Sequence, residues 1–375
     1  MSDIPDLSKR NEALDESINE RPDLSKKFCH HPFDNFEARD SGSVGVCCLS
    51  WLPYFIGNLN ENSMDEVYNS EKAQDIRRSI LDGSFDYCDH RVCPLIQNGS
   101  LKDKDDVTNP RHRDIIDNNK TILNHPTHVN FLHDESCNLS CPSCRVKKIN
   151  YSTGEPYERR LKIHNNIVDS LFSKELEDGC TLSITGSGDP FASKIFRDFL
   201  LNFDGSKYPK VYIDLQTNGV MLTPSMWNKI HKIHDNLGLI MVSFDAALPS
   251  TYEITRRGGK WDILVENVKF LAKKRSEDKF KVLRLDFVVQ DLNYKEMPMF
   301  ATLARSFGPL VDKICFSMVT DWGTWDKATF NQRAVWRKDH PEFDSFMDVL
   351  RSPELQDSDF IDMSNLHSYF VEANK

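Results

Sequence analysis

Three cysteines that lie within eight residues could bind one metal cluster together. They occupy the segment Cys137-Asn-Leu-Ser-Cys141-Pro-Ser-Cys144. Three thiolates on one loop can ligate three irons of a four-iron cluster, which leaves the fourth iron open to the amino and carboxylate groups of a small molecule. That arrangement suits electron transfer to a sulfonium compound. The same residues could instead form a zinc knuckle, with His133 or a remote residue as the fourth ligand.

Five further cysteines lie nearer the N-terminus, at positions Cys29, Cys47, Cys48, Cys88 and Cys93. Four thiolates suffice to bind one iron–sulfur cluster. We predict Cys29, Cys47, Cys88 and Cys93 as the ligands, because Cys48 follows Cys47 directly and points to the other side of a strand. Cys47 and Cys48 could exchange these roles. A tetrahedral zinc site with the same four ligands is the alternative.

The amino-acid composition indicates which cellular compartment and which kinds of partner to expect. A reducing cytosol disfavours disulfides, so clustered cysteines indicate metal or redox chemistry. Cys180 and Cys315, in apolar runs, are predicted to be small buried residues. The net charge of −10 provides no broad positive field for nucleic acid. We expect a cytoplasmic protein without a membrane partner, because no apolar run approaches the roughly 20 residues of a membrane-spanning helix and the N-terminus lacks a signal-peptide pattern.

Strand-like and helical stretches alternate from about residue 127 onward. The strand-like runs cover residues 128–133, 181–185, 211–216, 239–244, 282–289 and 313–318. The helical stretches between them cover residues 158–173, 193–202, 224–233, 261–273 and 294–306. This alternation predicts an α/β fold with a parallel sheet or a partial barrel of six β/α units. Chemistry in such folds lies at the carboxyl ends of the strands, where the cysteine loop and the other candidate motifs follow.

The three-cysteine loop and the β/α pattern behind it resemble the radical S-adenosylmethionine (SAM) superfamily over residues 127–320. The resemblance implies a [4Fe–4S] cluster on Cys137, Cys141 and Cys144 that binds SAM. It also implies reductive cleavage of SAM to a 5′-deoxyadenosyl radical, which takes a hydrogen atom from a substrate carbon. In that family an aromatic residue usually precedes the third cysteine, whereas this chain has Ser143.

Two motifs after the next strands also match the family. The segment Gly186-Ser187-Gly188-Asp189-Pro190 stands where the family has Gly-Gly-Glu-Pro. The resemblance implies that this segment grips the methionine amino group of SAM, with Asp189 supplying the negative charge. Asn218, within Thr-Asn-Gly, is expected to line the cofactor site. Taken without the cysteine loop, both segments would be ordinary turns.

The fourth strand contributes two more candidates. Ser243 at its end is expected to contact the ribose of SAM, and Arg256 the carboxylate or the ribose. Arg256 could instead form a surface salt bridge. Asp245 is expected to face the substrate, and Gln290 and Asn293 are weaker candidates for cofactor or substrate contacts.

The N-terminal cysteines resemble those of SPASM or twitch domains, which carry auxiliary [4Fe–4S] clusters. The shared order is Cys29-His-His-Pro-Phe, a hairpin, the pair Cys47-Cys48, a helix that a capping signal opens at Ser63, and two final cysteines. In most relatives this unit follows the barrel, whereas here it precedes it. Five cysteines, rather than the seven of a full SPASM unit, favour one cluster. The resemblance implies an electron-transfer or structural role.

These observations divide the chain into five parts. We predict a flexible arm over residues 1–26, an auxiliary cluster domain over 27–97, a linker over 98–126, a radical SAM partial barrel over 127–320 and a closing segment over 321–375. The expected partners are a peptide or small polar substrate and an external one-electron donor of the flavodoxin or ferredoxin type. The alternatives are a radical SAM enzyme acting on a sugar, a nucleotide or nucleic acid, and a zinc-stabilised binding protein without enzymatic activity.

Overall fold

The computed structural model describes residues 23–308 and 310–375, so most of the predicted arm lies outside the described residues. The chain forms two compact units. The first comprises the described part of Met1–His133 together with Thr153–Ser183. The second comprises Asp134–Ser152 and Ile184–Lys375. The bounds of the five predicted parts of the chain stay predictions.

Short strands and six helices make up the described part of the first unit. Its strands are β1 (Lys27–Phe28), β2 (Asn35–Arg39), β3 (Ser43–Gly45), β4 (Gly57–Asn58), β5 (Lys102–Asp103), β6 (His128–Leu132) and β7 (Cys180–Ile184), which ends at the division between the units. Its helices are α1 (His31–Asp34), α2 (Met64–Tyr68), α3 (Glu71–Asp82), α4 (Pro94–Gln97), α5 (Pro110–Asp117) and α6 (Gly154–Phe172). The strands run in the order β4-β3-β2-β6-β7, with β2 and β6 parallel, and β1 pairs separately with β5.

The helix expected to run from the capping signal at Ser63 to residue 81 is divided in two. Ser63 forms the capping box with Glu66 that its sequence predicts. Helix α2 then ends at Tyr68, because the side chain of Ser70 caps a new helix by accepting the Ala73 N–H. A polar residue that the sequence suggests is on the surface of one long helix, Ser70, is therefore the N-cap of a second helix.

The stretch 98–126, expected to be a linker, contains regular structure. It holds β5 and α5, and Asn109 caps α5 through the His112 N–H. Lys104 Nζ donates to the Leu81 carbonyl at 2.8 Å. Short elements with few apolar residues give almost no periodic signal, which explains why the sequence indicated a linker here.

The second unit is built around parallel strands. They are β8 (Val211–Thr217), β9 (Leu237–Ser243), β10 (Val282–Val289), β11 (Lys313–Met318) and β12 (Ile361–Asp362), in the order β8-β9-β10-β11-β12. The helices are α7 (Lys194–Asn202), α8 (Pro224–Lys229), α9 (Pro249–Thr255), α10 (Trp261–Ser276), α11 (Met297–Ser306), α12 (Lys327–Arg333), α13 (Phe343–Leu350) and α14 (His367–Ala373). Short 3-10 turns follow α8 and precede α11.

The predicted α/β class with parallel strands is confirmed. The predicted strands 282–289 and 313–318 coincide with β10 and β11, and the other predicted strands differ from the observed ones by one or two residues at an end. The C-terminal segment holds three short helices and adds β12 beside β11. Closure of the strands into a partial barrel, and of this segment over it, stay predictions. Across the described residues, every helix is too short or too polar to cross a membrane.

Candidate functional site

A small, partly open cleft lies in the second unit, where β8 and β9 end. Nine of the ten cofactor-site residues expected from sequence line it. The complete lining is Cys137, Leu139, Cys141, Cys144, Arg145, Thr185, Gly186, Ser187, Gly188, Gln216, Thr217, Asn218, Ser243 and Arg256. Five separate chain segments therefore meet at one place, and Asp189 is the expected cofactor-site residue that does not line the cleft.

Each cysteine of the loop receives a nitrogen donor from a side chain. Arg145 Nη2 lies 3.3 Å from Cys144 Sγ. Arg256 Nη1 lies 3.8 Å from Cys141 Sγ, and Asn218 Nδ2 lies 3.7 Å from Cys137 Sγ. Such donors stabilise negative charge on sulfur.

Burial has the opposite effect and disfavours negative charge on the sulfurs of Cys137 and Cys141. In the protein without metal, burial raises the pKa of the Cys137 thiol to about 11 and also raises that of Cys141. Without metal, burial therefore favours the neutral thiols of Cys137 and Cys141 over their thiolates.

The sulfur spacing bears on the zinc alternative. Among the described residues, no three cysteine sulfurs lie within 4.8 Å of one another. Four sulfurs bound to one zinc ion at about 2.3 Å lie only about 3.8 Å apart. Neither cysteine group is therefore arranged as a zinc site in this structure.

Arg145 is a site residue that sequence reasoning missed. Its side chain bridges two loops by donating to the Glu135 carbonyl through Nη1 and to the Ser187 carbonyl through Nη2, each at 2.5 Å. It also points at Cys144, and it is 8% exposed. The sequence offered only an arginine directly after the third cysteine, and the structure adds that this arginine is buried.

Asp189 has a different position from the one expected. Its carboxylate is completely buried and accepts hydrogen bonds from Thr217 Oγ1 at 2.7 Å and from the Asn218 N–H at 2.9 Å. Its other oxygen accepts from the N–H groups of Phe191 and Ala192. With both oxygens engaged behind the wall of the cleft, Asp189 fixes the end of β8 to the start of α7 and so positions Asn218.

Gly188, next to Asp189, has no room for a side chain because the backbone of residues 134–136 approaches it closely. A Cβ atom on Gly188 would lie 2.6 Å from the Ser136 carbonyl oxygen and 2.8 Å from that of Asp134. Thr185, just before this loop, has a φ of +78°, which is uncommon for a threonine. The loop after β7 is therefore held tightly against the segment that leads into the cysteine loop.

Arg256 lies in the cleft, but an aspartate neutralises it. Its Nη2 lies 2.8 Å from Asp245 Oδ2, with side-chain exposures of 14% and 3%. Asp245 also accepts the Val288 N–H at 2.7 Å, and Asn293 Nδ2 donates to the Asp245 carbonyl. Asp245 therefore does not face a substrate as expected, and Asn293 braces it. The alternative of a surface salt bridge for Arg256 is also wrong, because the pair is buried.

A row of polar side chains continues from the cleft across the strands. Asp286 is in register with Ser243 of β9 and with Cys315 of β11, and Cys315 is in register with Asp362 of β12. Residues in register share a face of the sheet. Arg284 Nε pairs with Asp286 Oδ1 at 2.6 Å on this face. Cys315 thus borders charged groups, in contrast to the apolar surroundings expected for it.

The N-terminal cysteines converge in the first unit. Cys29, Cys47, Cys88 and Cys93 are all buried, whereas Cys48 is partly exposed. Burial raises the pKa of the Cys29 thiol to about 12, and Cys93 adds to the rise. Burial likewise raises the pKa of Cys88, with further contributions from Cys29, Cys47 and Cys93. The four buried sulfurs therefore lie near enough to influence one another.

Comparison with known families assigns both parts of the chain. The Radical SAM superfamily matches residues 132–304, and the iron–sulfur cluster-binding domain SPASM matches residues 29–94. No curated protein matches this sequence. Radical SAM domains use SAM with a [4Fe–4S] cluster, and SPASM domains bind auxiliary iron–sulfur clusters. The matched order is thus a SPASM iron–sulfur cluster-binding domain followed by a radical SAM domain.

Proposed function

We propose that this enzyme cleaves SAM reductively in the second-unit cleft and modifies a polar substrate there, either a peptide or a small polar metabolite. A [4Fe–4S] cluster and SAM together supply a 5′-deoxyadenosyl radical that can take a hydrogen atom from carbon. Cys137, Cys141 and Cys144 would hold the cluster. The observation that carries the proposal is the convergence of nine expected residues on one cleft, with a nitrogen donor beside each cysteine sulfur.

The other residues of the cleft would bind and orient SAM. Gly186, Ser187 and Gly188 present backbone groups at its wall, which suits recognition of an amino group. Asn218 and Ser243 add an amide and a hydroxyl. Arg256, paired with Asp245, still directs part of its guanidinium group toward the cleft and suits a carboxylate or a ribose.

The polar row beside the cleft supports a polar substrate. Parallel strands usually carry apolar side chains on both faces. Here Asp286, Arg284 and Cys315 occupy the face that continues from Ser243. These groups could hydrogen-bond a peptide or a polar metabolite, and no broad positive surface favours nucleic acid, given the net charge of −10. An external donor of the flavodoxin or ferredoxin type would supply the electron, and a cytoplasmic location stays a prediction.

Anaerobic product analysis tests the function directly. Protein reconstituted with iron and sulfide, reduced with dithionite and given SAM should form 5′-deoxyadenosine and methionine in equal amounts. Liquid chromatography with mass detection measures both products. A brown, fully reconstituted protein that forms neither product would contradict the proposal.

The auxiliary site should be separable from SAM cleavage. We expect Cys88→Ala to lose about four irons per chain and to keep 5′-deoxyadenosine formation, because the cleft is lined only by residues of the second unit. Cys48→Ala is the matched control and should keep its full iron content. Iron analysis of both variants checks this. Equal iron loss in the two variants would mean that Cys48 is also a ligand.

A further inference from the structure

We infer that His30, Asp34 and His112 form a binding site for one divalent transition-metal ion, built without any cysteine. One ring nitrogen of each histidine and one oxygen of Asp34 all lie within 4.8 Å of one another. His30 Nδ1 lies 2.9 Å from Asp34 Oδ2, and His112 Nε2 lies 2.8 Å from the same oxygen. Three potential ligand atoms therefore converge on one point.

These distances are close to those between two ligands of one metal ion. Zinc binds imidazole nitrogen and carboxylate oxygen at about 2.0–2.2 Å in a tetrahedron, which sets neighbouring ligand atoms about 3.4 Å apart, so each contact needs to lengthen by only about half an ångström. Two imidazoles and one carboxylate are a common set for zinc or iron(II), with the remaining positions open to water. Magnesium and calcium fit poorly, because both prefer oxygen ligands alone.

The three side chains are held in place by the fold of the first unit. His30 precedes α1, Asp34 ends α1, and His112 lies in α5. The rings of His30 and His112 stack with centroids 5.4 Å apart, and Phe28 packs on His112 at 5.7 Å. The His30 side chain is 51% exposed, whereas Asp34 and His112 are 12% and 15% exposed. A metal ion can thus reach a largely preformed site from the side of His30.

The neighbouring arginine does not account for the orientation of Asp34. Arg111 Nε lies 3.6 Å from Asp34 Oδ1, beyond hydrogen-bond distance, and Arg111 Nη1 pairs with Asp178 at 2.7 Å. Within the described residues, Asp34 Oδ1 and Arg111 Nε are both buried without a hydrogen-bond partner. A carboxylate placed to pair with arginine would form the bidentate contact. Asp34 instead turns its other oxygen to the two histidines.

Equilibrium dialysis against zinc chloride tests the site on protein whose cysteines already carry their clusters. Iron and zinc are measured together in each sample. Wild-type protein should bind one zinc ion per chain that His30→Ala and His112→Ala lose. His31→Ala is the matched control, since His31 stacks on His30 but is not among the three ligands. It should bind zinc like the wild type.

The half-exposed position of His30 keeps the test decisive even if a change at His112 disturbs folding. Unchanged iron content and far-ultraviolet circular dichroism of His30→Ala show that its fold and clusters are intact. Equal zinc binding by wild type and His30→Ala would overturn the proposal, because the three groups would then be only a hydrogen-bonded network. Equal loss in His31→Ala would overturn it as well.

Discussion

A Cys141→Ala variant is expected to form no 5′-deoxyadenosine and to lose about four of the roughly eight irons expected for two four-iron clusters. Cys141 is 6% exposed and lies beside Arg256, so the surrounding structure would have to move for water to replace the thiolate. The cysteines that line the cleft are Cys137, Cys141 and Cys144, so the cleft holds no spare sulfur ligand. Iron analysis and anaerobic product analysis of the reconstituted variant measure both effects.

Cys180→Ala is the control for that experiment. Cys180 is 3% exposed in β7 and does not line the cleft. Its replacement removes a buried sulfur of similar size, so a general effect of losing a buried cysteine would appear in it too. We expect its iron content and its product formation to equal those of the wild type. Retained product formation in Cys141→Ala would contradict the assignment of the cluster to this loop.

The cleft could be located from sequence because its residues follow strands directly. Each strand had a clear apolar pattern, and a residue that follows a parallel strand must lie at the carboxyl edge of the sheet. The structure brings Cys137, Gly186, Asn218 and Ser243 to one cleft, as this rule predicts, and their roles in binding a cluster or SAM stay predictions. Their location depends on local periodicity and on one topological rule.

The contacts that support the cleft could not be predicted in this way. Asp189 binds Thr217 and Asn218, and Asp245 binds Arg256, across sequence separations of up to 29 residues. Which of several carboxylates turns inward depends on how two loops pack, and no periodic pattern encodes that choice. Arg145 was missed for the same reason. Its partners are carbonyl groups, which every residue carries.

The second large expected effect is a loss of stability when the Asp245–Arg256 pair is broken. Asp245→Ala should destabilise the protein by about 3–5 kcal/mol, because it leaves a buried guanidinium group without its partner. For a unit of about 200 residues, that loss lowers the melting temperature by roughly 6–20 °C. A double variant, Asp245→Ala with Arg256→Met, should recover much of this stability, because it removes both charges. Thermal unfolding of the metal-free chain, followed by far-ultraviolet circular dichroism, measures the three proteins.

The two single variants should also differ in their response to pH. Burial raises the pKa of the Asp245 carboxyl, and Arg256 opposes that rise. The Arg256→Met variant lacks the positive charge that opposes this rise. The pKa of the Asp245 carboxyl in the folded variant therefore lies still further above its unfolded value, so folding favours the protonated carboxyl. The stability deficit of Arg256→Met should therefore shrink as the pH falls from neutral through that raised pKa.

In Asp245→Ala the unpaired Arg256 cannot become neutral as the pH falls, because an arginine does not give up its proton in a protein. Its stability deficit relative to wild type should therefore not shrink over the same pH range. Melting temperatures of wild type and both single variants at pH 8, 7, 6 and 5 compare the two trends. Parallel curves for the two variants would show that Asp245 and Arg256 do not form a buried, mutually dependent pair, and the cleft would then contain an unneutralised Arg256.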